Sequence, residues 1–276
     1  MPGDARPIGV FDSGMGGLTV LRALLARLPF ERFVYLGDTA RLPYGTKSAE
    51  TVQAYALQAT RLLVSEGVKM VVVACNTASA VALRPLAEAL APVPVIGVIE
   101  PGARAGVAAT RNNHIAVIAT EGTVKGRAYA RAIAALNGDI TIVQQPCQVF
   151  VALAEEGWTD SPVTHAAAEH YLGPLFNAPS RPDTLVLGCT HFPVLAHAIR
   201  RTIGSEVALV DSAETTALAV AEALAAARLA SEAKTSGASP RIFATDSPER
   251  FARVGAVFLG HPIDAASVEL VDLHTL

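Results

Sequence analysis

Three cysteines in 276 residues, Cys75, Cys147 and Cys189, are too few and too far apart for a disulfide framework or a close-paired zinc site. They remain as buried thiols or catalytic ones. No apolar run approaches the roughly 18 residues of a membrane span, and the segment ahead of the first apolar run is short and charged, without the apolar stretch of a secretion signal. A protein away from the membrane, in the cytoplasm, is the expectation. Lys and Arg do not gather into a patch, and the net charge is −3, so a nucleic-acid partner is not expected. Only four lysines are present (Lys47, Lys69, Lys125, Lys234), none in a convincing Schiff-base setting, which argues against pyridoxal phosphate. The histidine pairs His165/His170 and His191/His197 lack the i, i+4 spacing of a helical zinc site, so no metal is expected either.

What is present is apolar: half of the chain, in short runs rich in Val and Ile that alternate with helix-length stretches. Strands are expected at 7–11, 33–36, 69–74, 95–98, 114–119, 140–143, 184–188 and 207–210, with helices including 18–28, 49–66, 79–91 and 213–230. Continuous hydrophobicity within the strands implies cover on both faces, the pattern of parallel sheets with helical crossovers. The fold class is therefore α/β, as two doubly wound units with largely parallel sheets. Pro92, Pro94 and Pro101 separate two series of βα units, which places a change of unit after Val98 and another near Asp211. The expected division is 1–98 with 209–276, against 99–208. A polar stretch at 231–240 precedes a strand at 241–245, a helix from 248 to about 258 and a last strand at 268–271.

An internal echo carries the functional signal. Met70-Val-Val-Val-Ala74 leads into Cys75-Asn76-Thr77, and Leu185-Val-Leu-Gly188 leads into Cys189-Thr190-His191, each with a helix expected next. Ligands in open parallel sheets bind at the carboxyl ends of strands, where a following helix presents free N–H groups and partial positive charge. Such a setting favours the thiolate of a cysteine and poises it for proton exchange near neutral pH. One cysteine at the end of a buried strand is more often a small hydrophobe, the reading kept for Cys147; two in matched settings shift the balance. Inverting a stereocentre requires a proton taken from one face and another delivered to the opposite face.

The loop Asp12-Ser13-Gly14-Met15-Gly16-Gly17 invites a dinucleotide reading, but G-x-G-x-x-G started at Gly14 and Gly16 needs glycine where Thr19 stands. A tight turn that lets backbone approach a small ligand fits better. The segment 36–45, dense in turn formers, is a candidate substrate clamp.

Taken together, Asp12-Ser13-Gly14-Met15-Gly16-Gly17-Leu18-Thr19, Gly37-Asp38-Thr39-Ala40 with Pro43-Tyr44-Gly45, Ala74-Cys75-Asn76-Thr77-Ala78, Thr120-Glu121-Gly122-Thr123 and Gly188-Cys189-Thr190-His191 resemble the glutamate racemases, in order and over nearly the whole chain. The resemblance implies interconversion of L- and D-glutamate without cofactor, for peptidoglycan synthesis, by a homodimer whose C-terminal segment returns to the first unit. It implies Cys75 and Cys189 as proton carriers, Asp12 and His191 each assisting one thiol, and Glu155 supporting the second side. Substrate would be held by Asp12, Ser13, Tyr44, Gly45, Asn76, Thr77, Thr190 and His191 in a cleft between the units. Glu155 is preferred to Glu156 only by its register with Gly157. A racemase of aspartate or another acidic amino acid, and a non-catalytic binding protein on the same scaffold, are the competing readings.

Overall fold

Runs of Val, Ile and Leu buried on both sides form the strands. The computed structural model describes residues 3–233, 235, 237 and 239–273, so that Lys234 and part of the polar stretch 231–240 lie outside the described residues. In chain order the strands are β1 (Ile8–Asp12), β2 (Phe33–Gly37), β3 (Met70–Val73), β4 (Val95–Gly97), β5 (His114–Ala119), β6 (Thr141–Pro146), β7 (Thr184–Gly188), β8 (Ala208–Asp211), β9 (Arg241–Ala244) and β10 (Val268–Leu270). The helices are α1 (Leu18–Arg27), α2 (Ala49–Ser65), α3 (Asn76–Ala89), α4 (Ile99–Ala109), α5 (Glu121–Lys125), α6 (Ala128–Leu136), α7 (Gln148–Glu155), α8 (Pro162–Phe176), α9 (Ala196–Ile203), α10 (Ser212–Ala227) and α11 (Pro248–Leu259). None of them is long and apolar enough to cross a membrane.

Two sheets result, and every strand pair among the described residues is parallel. The first runs β10-β9-β2-β1-β3-β4 and the second β6-β5-β7-β8. The order 2-1-3-4 is thus repeated as 6-5-7-8, with the C-terminal strands added at the β2 edge. In both sheets the direction of winding reverses between the first and third strand of the repeat, and at such a reversal the loops part and leave a crevice. Asp12 ends β1 and Cys75 lies just past β3; Thr120 follows β5 and Cys189 follows β7. The sequence echo is therefore also topological, each cysteine occupying the same place in its repeat.

Several boundaries depart from the sequence expectation for local reasons. Helix α3 begins three residues early because Cys75 itself is its N-cap, its Sγ accepting from the Ala78 N–H at 3.4 Å. The proline-rich stretch after 92 holds β4 and the start of α4; Pro101 sits in the first turn, where a missing N–H removes no helical bond. Residues 209–211 are hydrogen bonded to β7 in the second sheet, so the chain leaves that sheet only after Asp211. Helix α10 then packs on both α1 and α4, and α11 packs on α1 and β10.

At the N-terminal end of the first sheet, Lys69 closes the structure. Its buried Nζ donates to Glu31 Oε2 (2.6 Å) and to the carbonyls of Asp4 (2.6 Å) and Leu229 (2.7 Å), while Glu31 Oε1 accepts from the Ser231 N–H (2.7 Å). Removing one partner strands a buried charge. Lys69→Met should lower unfolding stability by about 3–5 kcal/mol in urea denaturation; a loss under about 1 kcal/mol would mean that Glu31 reaches solvent without it.

Candidate active site

The first crevice is shaped by the glycine loop. Asp12 is fully buried, and its Oδ2 accepts from the Gly14 N–H at 2.9 Å, turning the chain sharply after β1. None of Gly14, Gly16 and Gly17 has a positive φ, so their role is room. A Cβ on Gly16 would lie 2.4 Å from His191 Cε1, and one on Gly17 2.4 Å from Asp12 Cβ. Thr19 Oγ1 donates to the Thr190 carbonyl at 3.0 Å, joining this loop to the one that carries Cys189. Gly16 thus admits side chains of the second unit, and Gly17 admits the Asp12 side chain of its own.

Cys75 is buried, with Ser13 Oγ 3.4 Å from its sulfur. Burial pushes its thiol up to about 12, the charges of Asp12 and Cys189 adding to the effect, against the Ser13 hydroxyl and the Ala78 N–H. The helix N-terminus that should favour a thiolate is present but loses to desolvation. Burial likewise raises the Asp12 carboxyl, opposed by the charge of His191 and by the N–H groups of Gly17, Gly14 and Ser13.

Cys189 stands in a different setting. It is no helix cap: a turn closed by Phe192 N–H to the Cys189 carbonyl (3.1 Å) leads into the 3-10 turn Phe192–Leu195, and α9 starts only at Ala196. Pro193 occupies the first turn there. In place of a helix end, the sulfur has an imidazole: His191 Nδ1 is 3.8 Å away, and Nε2 meets Glu155 Oε1 at 3.3 Å. Burial opposes the imidazolium, but the bonds to Cys189 and Glu155 and the charges of Cys189 and Asp12 outweigh it and push His191 up to about 10. Glu155 is held below the usual carboxylate range, burial being overcome by His191 and by Arg250, whose Nη2 bonds Oε2 at 2.9 Å. The neighbouring Glu156 is the exposed C-cap of α7, so of the two glutamates it is Glu155 that reaches His191.

Between the two thiols the polar groups come from both units. Thr77, Thr120 and Thr123 form a hydroxyl triad with Oγ1 separations of 2.9, 3.2 and 3.1 Å. Gly45 packs against it, a Cβ there falling 2.7 Å from Thr120 Cβ. Asn76 Oδ1 accepts from the Tyr129 hydroxyl at 2.8 Å, which aims its amide nitrogen elsewhere. That nitrogen and Asp12 Oδ1 are buried with no hydrogen-bond partner. Buried polar atoms are almost always satisfied, so an orphaned donor and an orphaned acceptor beside two thiols mark the place of a polar ligand. Tyr44 differs from expectation in one respect, since its hydroxyl donates to Asp38, which also takes Arg41 Nε (2.7 Å) and the Thr245 hydroxyl (3.0 Å). The segment 36–45 is therefore folded around Asp38, leaving Gly45 and the backbone to face Thr120.

Of the candidate residues, Asp12, Ser13, Cys75, Asn76, Thr77, Gly45, Cys189, Thr190, His191 and Glu155 are brought together at the facing strand ends. Cys147 stays apart as the buried N-cap of α7, its sulfur 3.6 Å from the Gln145 carbonyl. Sequence reasoning did not single out Thr120, Thr123, Tyr129, Asp38 or Arg250. Thr120, Thr123 and Asp38 lie within motifs given above; Tyr129 and Arg250 are joined to the site only through space. The histidines group otherwise than their spacing suggested: His165 Nε2 and His197 Nδ1 both meet Asp160 Oδ1, at 2.6 and 2.9 Å, and these hydrogen bonds account for the cluster.

A parallel βα repeat thus sets one buried thiol at the equivalent strand end of each half. Residues 8–223 match the family described as Asp/Glu/Hydantoin racemase, and the chain belongs to that family. It is 52% identical over 255 residues to the glutamate racemase of Geobacter metallireducens, covering 92% of this chain and 93% of the relative. Among solved structures, the Francisella tularensis glutamate racemase in complex with D-glutamate superposes with a TM-score of 0.90 at 36% identity, covering 99% of this chain and 100% of the other. The Thermus thermophilus glutamate racemase in complex with β-chloro-D-alanine does so with a TM-score of 0.87 at 44% identity, over 99% of both chains.

The clash at Gly16 gives a direct check. Gly16→Ala drives a methyl group into the His191 ring and should cost about 1–3 kcal/mol of stability, as overpacking does, read from urea or thermal unfolding. An unaltered stability would show that His191 yields without cost.

Proposed function

We propose that this chain is a glutamate racemase that moves the Cα proton of its substrate between Cys75 and Cys189, with no cofactor, and that the D-glutamate it makes serves peptidoglycan synthesis. The observation that carries the reading is the pair of buried thiols at equivalent strand ends of two repeats, whose loops are joined by the Thr19 hydroxyl on the Thr190 carbonyl. One sulfur, as thiolate, takes the α-proton from one face. The other, as thiol, gives its proton to the opposite face, and the two exchange roles in the reverse direction.

The surroundings suit the two halves of this transfer. Cys75 lies among Asp12 and Ser13, Cys189 against His191 and Glu155, so an acid form is favoured on one side and an ion pair on the other. The Asp12 Oδ1 acceptor fits the substrate ammonium, and the Asn76 amide with the Thr77, Thr120 and Thr190 hydroxyls fits carboxylates. Donors set in place before the reaction stabilise charge that builds on the α-carboxylate as the proton leaves, without an arginine clamp. Cys75, Cys189, Asp12, Asn76, Thr77, Thr120, Thr190 and His191 are all buried, so the substrate enters when the two units part and reacts when they close.

Incubation with L-glutamate in D₂O tests the reading: deuterium should enter Cα as optical rotation decays, with aspartate turned over far more slowly. Cys75→Ser and Cys189→Ser should each lower racemisation by more than about a hundredfold, the usual weight of a general acid or base. Near-normal turnover by either variant would refute the two-thiol transfer. The pH dependence has a stated sign. His191 is raised above its ordinary value of 6.5, so its pairing with Glu155 and Cys189 is complete below that value and is lost as pH rises through about 10. The rate should fall there, on the alkaline limb of a bell; a rate still climbing at pH 11 would exclude His191 as an imidazolium.

A further inference from the structure

We propose that Arg250 is a positioning residue for the Cys189 side of the site: by holding Glu155 against His191 it couples closure of the two units to the orientation and charge of that histidine. The inference rests on the proposed racemase reading for its functional consequence, but its physical content does not need a substrate.

The geometry is a short chain of contacts between units. Arg250 belongs to α11, which packs on α1 and β10 at the first sheet, and Glu155 ends α7, which packs on α8 and on the turn after Cys189. Arg250 Nη2 takes Glu155 Oε2 (2.9 Å), which leaves Oε1 turned to His191 Nε2 (3.3 Å) and His191 Nδ1 turned to Cys189 Sγ (3.8 Å). The same helix supplies Phe258, whose ring meets the imidazole edge-on at 4.9 Å between centroids. The ionisable groups facing His191 are then Cys189 on its own loop, Glu155 from α7 and Asp12 from the end of β1.

Glu155 has somewhere else to go. Its carboxylate is partly exposed at a helix end, its bond to His191 is long, and a free glutamate side chain gains rotamer entropy in water. Arg250 supplies the second contact on the carboxylate, a single charge-assisted bond from Nη2 to Oε2. When the units part, the pair breaks, and His191 keeps Cys189 but loses the fixed Glu155, one of the partners that favour its charge. The imidazolium beside Cys189 is thus favoured most in the closed site.

Two contributions of Arg250 to His191 oppose each other, and their signs differ. As a bare positive charge it disfavours the imidazolium; as the clamp on Glu155 it favours it. A direct carboxylate contact outweighs a cation one residue further away, so the clamp should win.

The test follows the His191 imidazole by NMR through a pH titration in the full chain, without substrate. In Arg250→Gln the midpoint should move down by about half a unit to one unit, Arg250→Lys should restore part of it, and racemisation should fall roughly three- to tenfold, as for a half-exposed ion pair. In a Glu155→Gln background the Arg250→Gln change should lower the midpoint no further, because its route is gone and only the opposing bare charge is removed. An unchanged or raised midpoint, or additive losses in the double variant, would overturn the proposal. Failure of the unaltered protein to racemise glutamate would instead sink the functional reading and leave the titration standing.

Discussion

Two crevices have to face one another for this site to exist, and that constraint governs the rest of the molecule. A parallel sheet wound in the order 2-1-3-4 opens its loops between the first and third strands, and the repeat in the order 6-5-7-8 opens a second set. Each contributes one thiol. Everything between them comes from both units at once: the Thr19 hydroxyl on the Thr190 carbonyl, the Thr77 hydroxyl against Thr120 and Thr123, His191 seated over Gly16, and Arg250 on Glu155. The glycines at 16 and 45 matter because a methyl group at either would push the units apart.

The electrostatics follow from closing such a space. Burial first, with the charge of Asp12 acting on Cys75 and of Asp38 on Tyr44, drives the Cys75 thiol, the Asp12 carboxyl and the Tyr44 hydroxyl toward their neutral forms. Only where a compensating partner is provided does a charge persist, and that is the Cys189 side, where His191 is stabilised by Glu155 and by the sulfur itself. The two halves of a topological repeat are thereby made chemically unequal. The Cys75 thiol is held neutral on one side, while on the other a charged imidazole stands against Cys189 and Glu155.

Much of the fold was legible in the chain because continuous Val and Ile runs can only be strands covered on both faces. The core strands β1, β2, β3, β5 and β7 lie within a residue of expectation. Harder to read were places where a tertiary or capping contact sets the boundary: α3 starts at the Cys75 cap, and β8 continues to Asp211 because β7 lies beside it. The site residues on the loops after β1, β3 and β7 could be read because strand, polar cluster and helix recur at fixed spacing. Arg250 and Tyr129 could not, for each acts on a residue tens of positions away, Glu155 and Asn76, through a contact that no local pattern announces.

By itself the sequence determined the α/β class and the duplicated pattern of a strand followed by a cysteine, both of which depend on short-range periodicity and on where a strand must end. Tertiary structure alone decided that the thiols are inequivalent. That difference arises because one is covered by a carboxylate and a helix end and the other by an imidazole clamped from the opposite unit, and the cost of burying a charge depends on the groups that surround it in space.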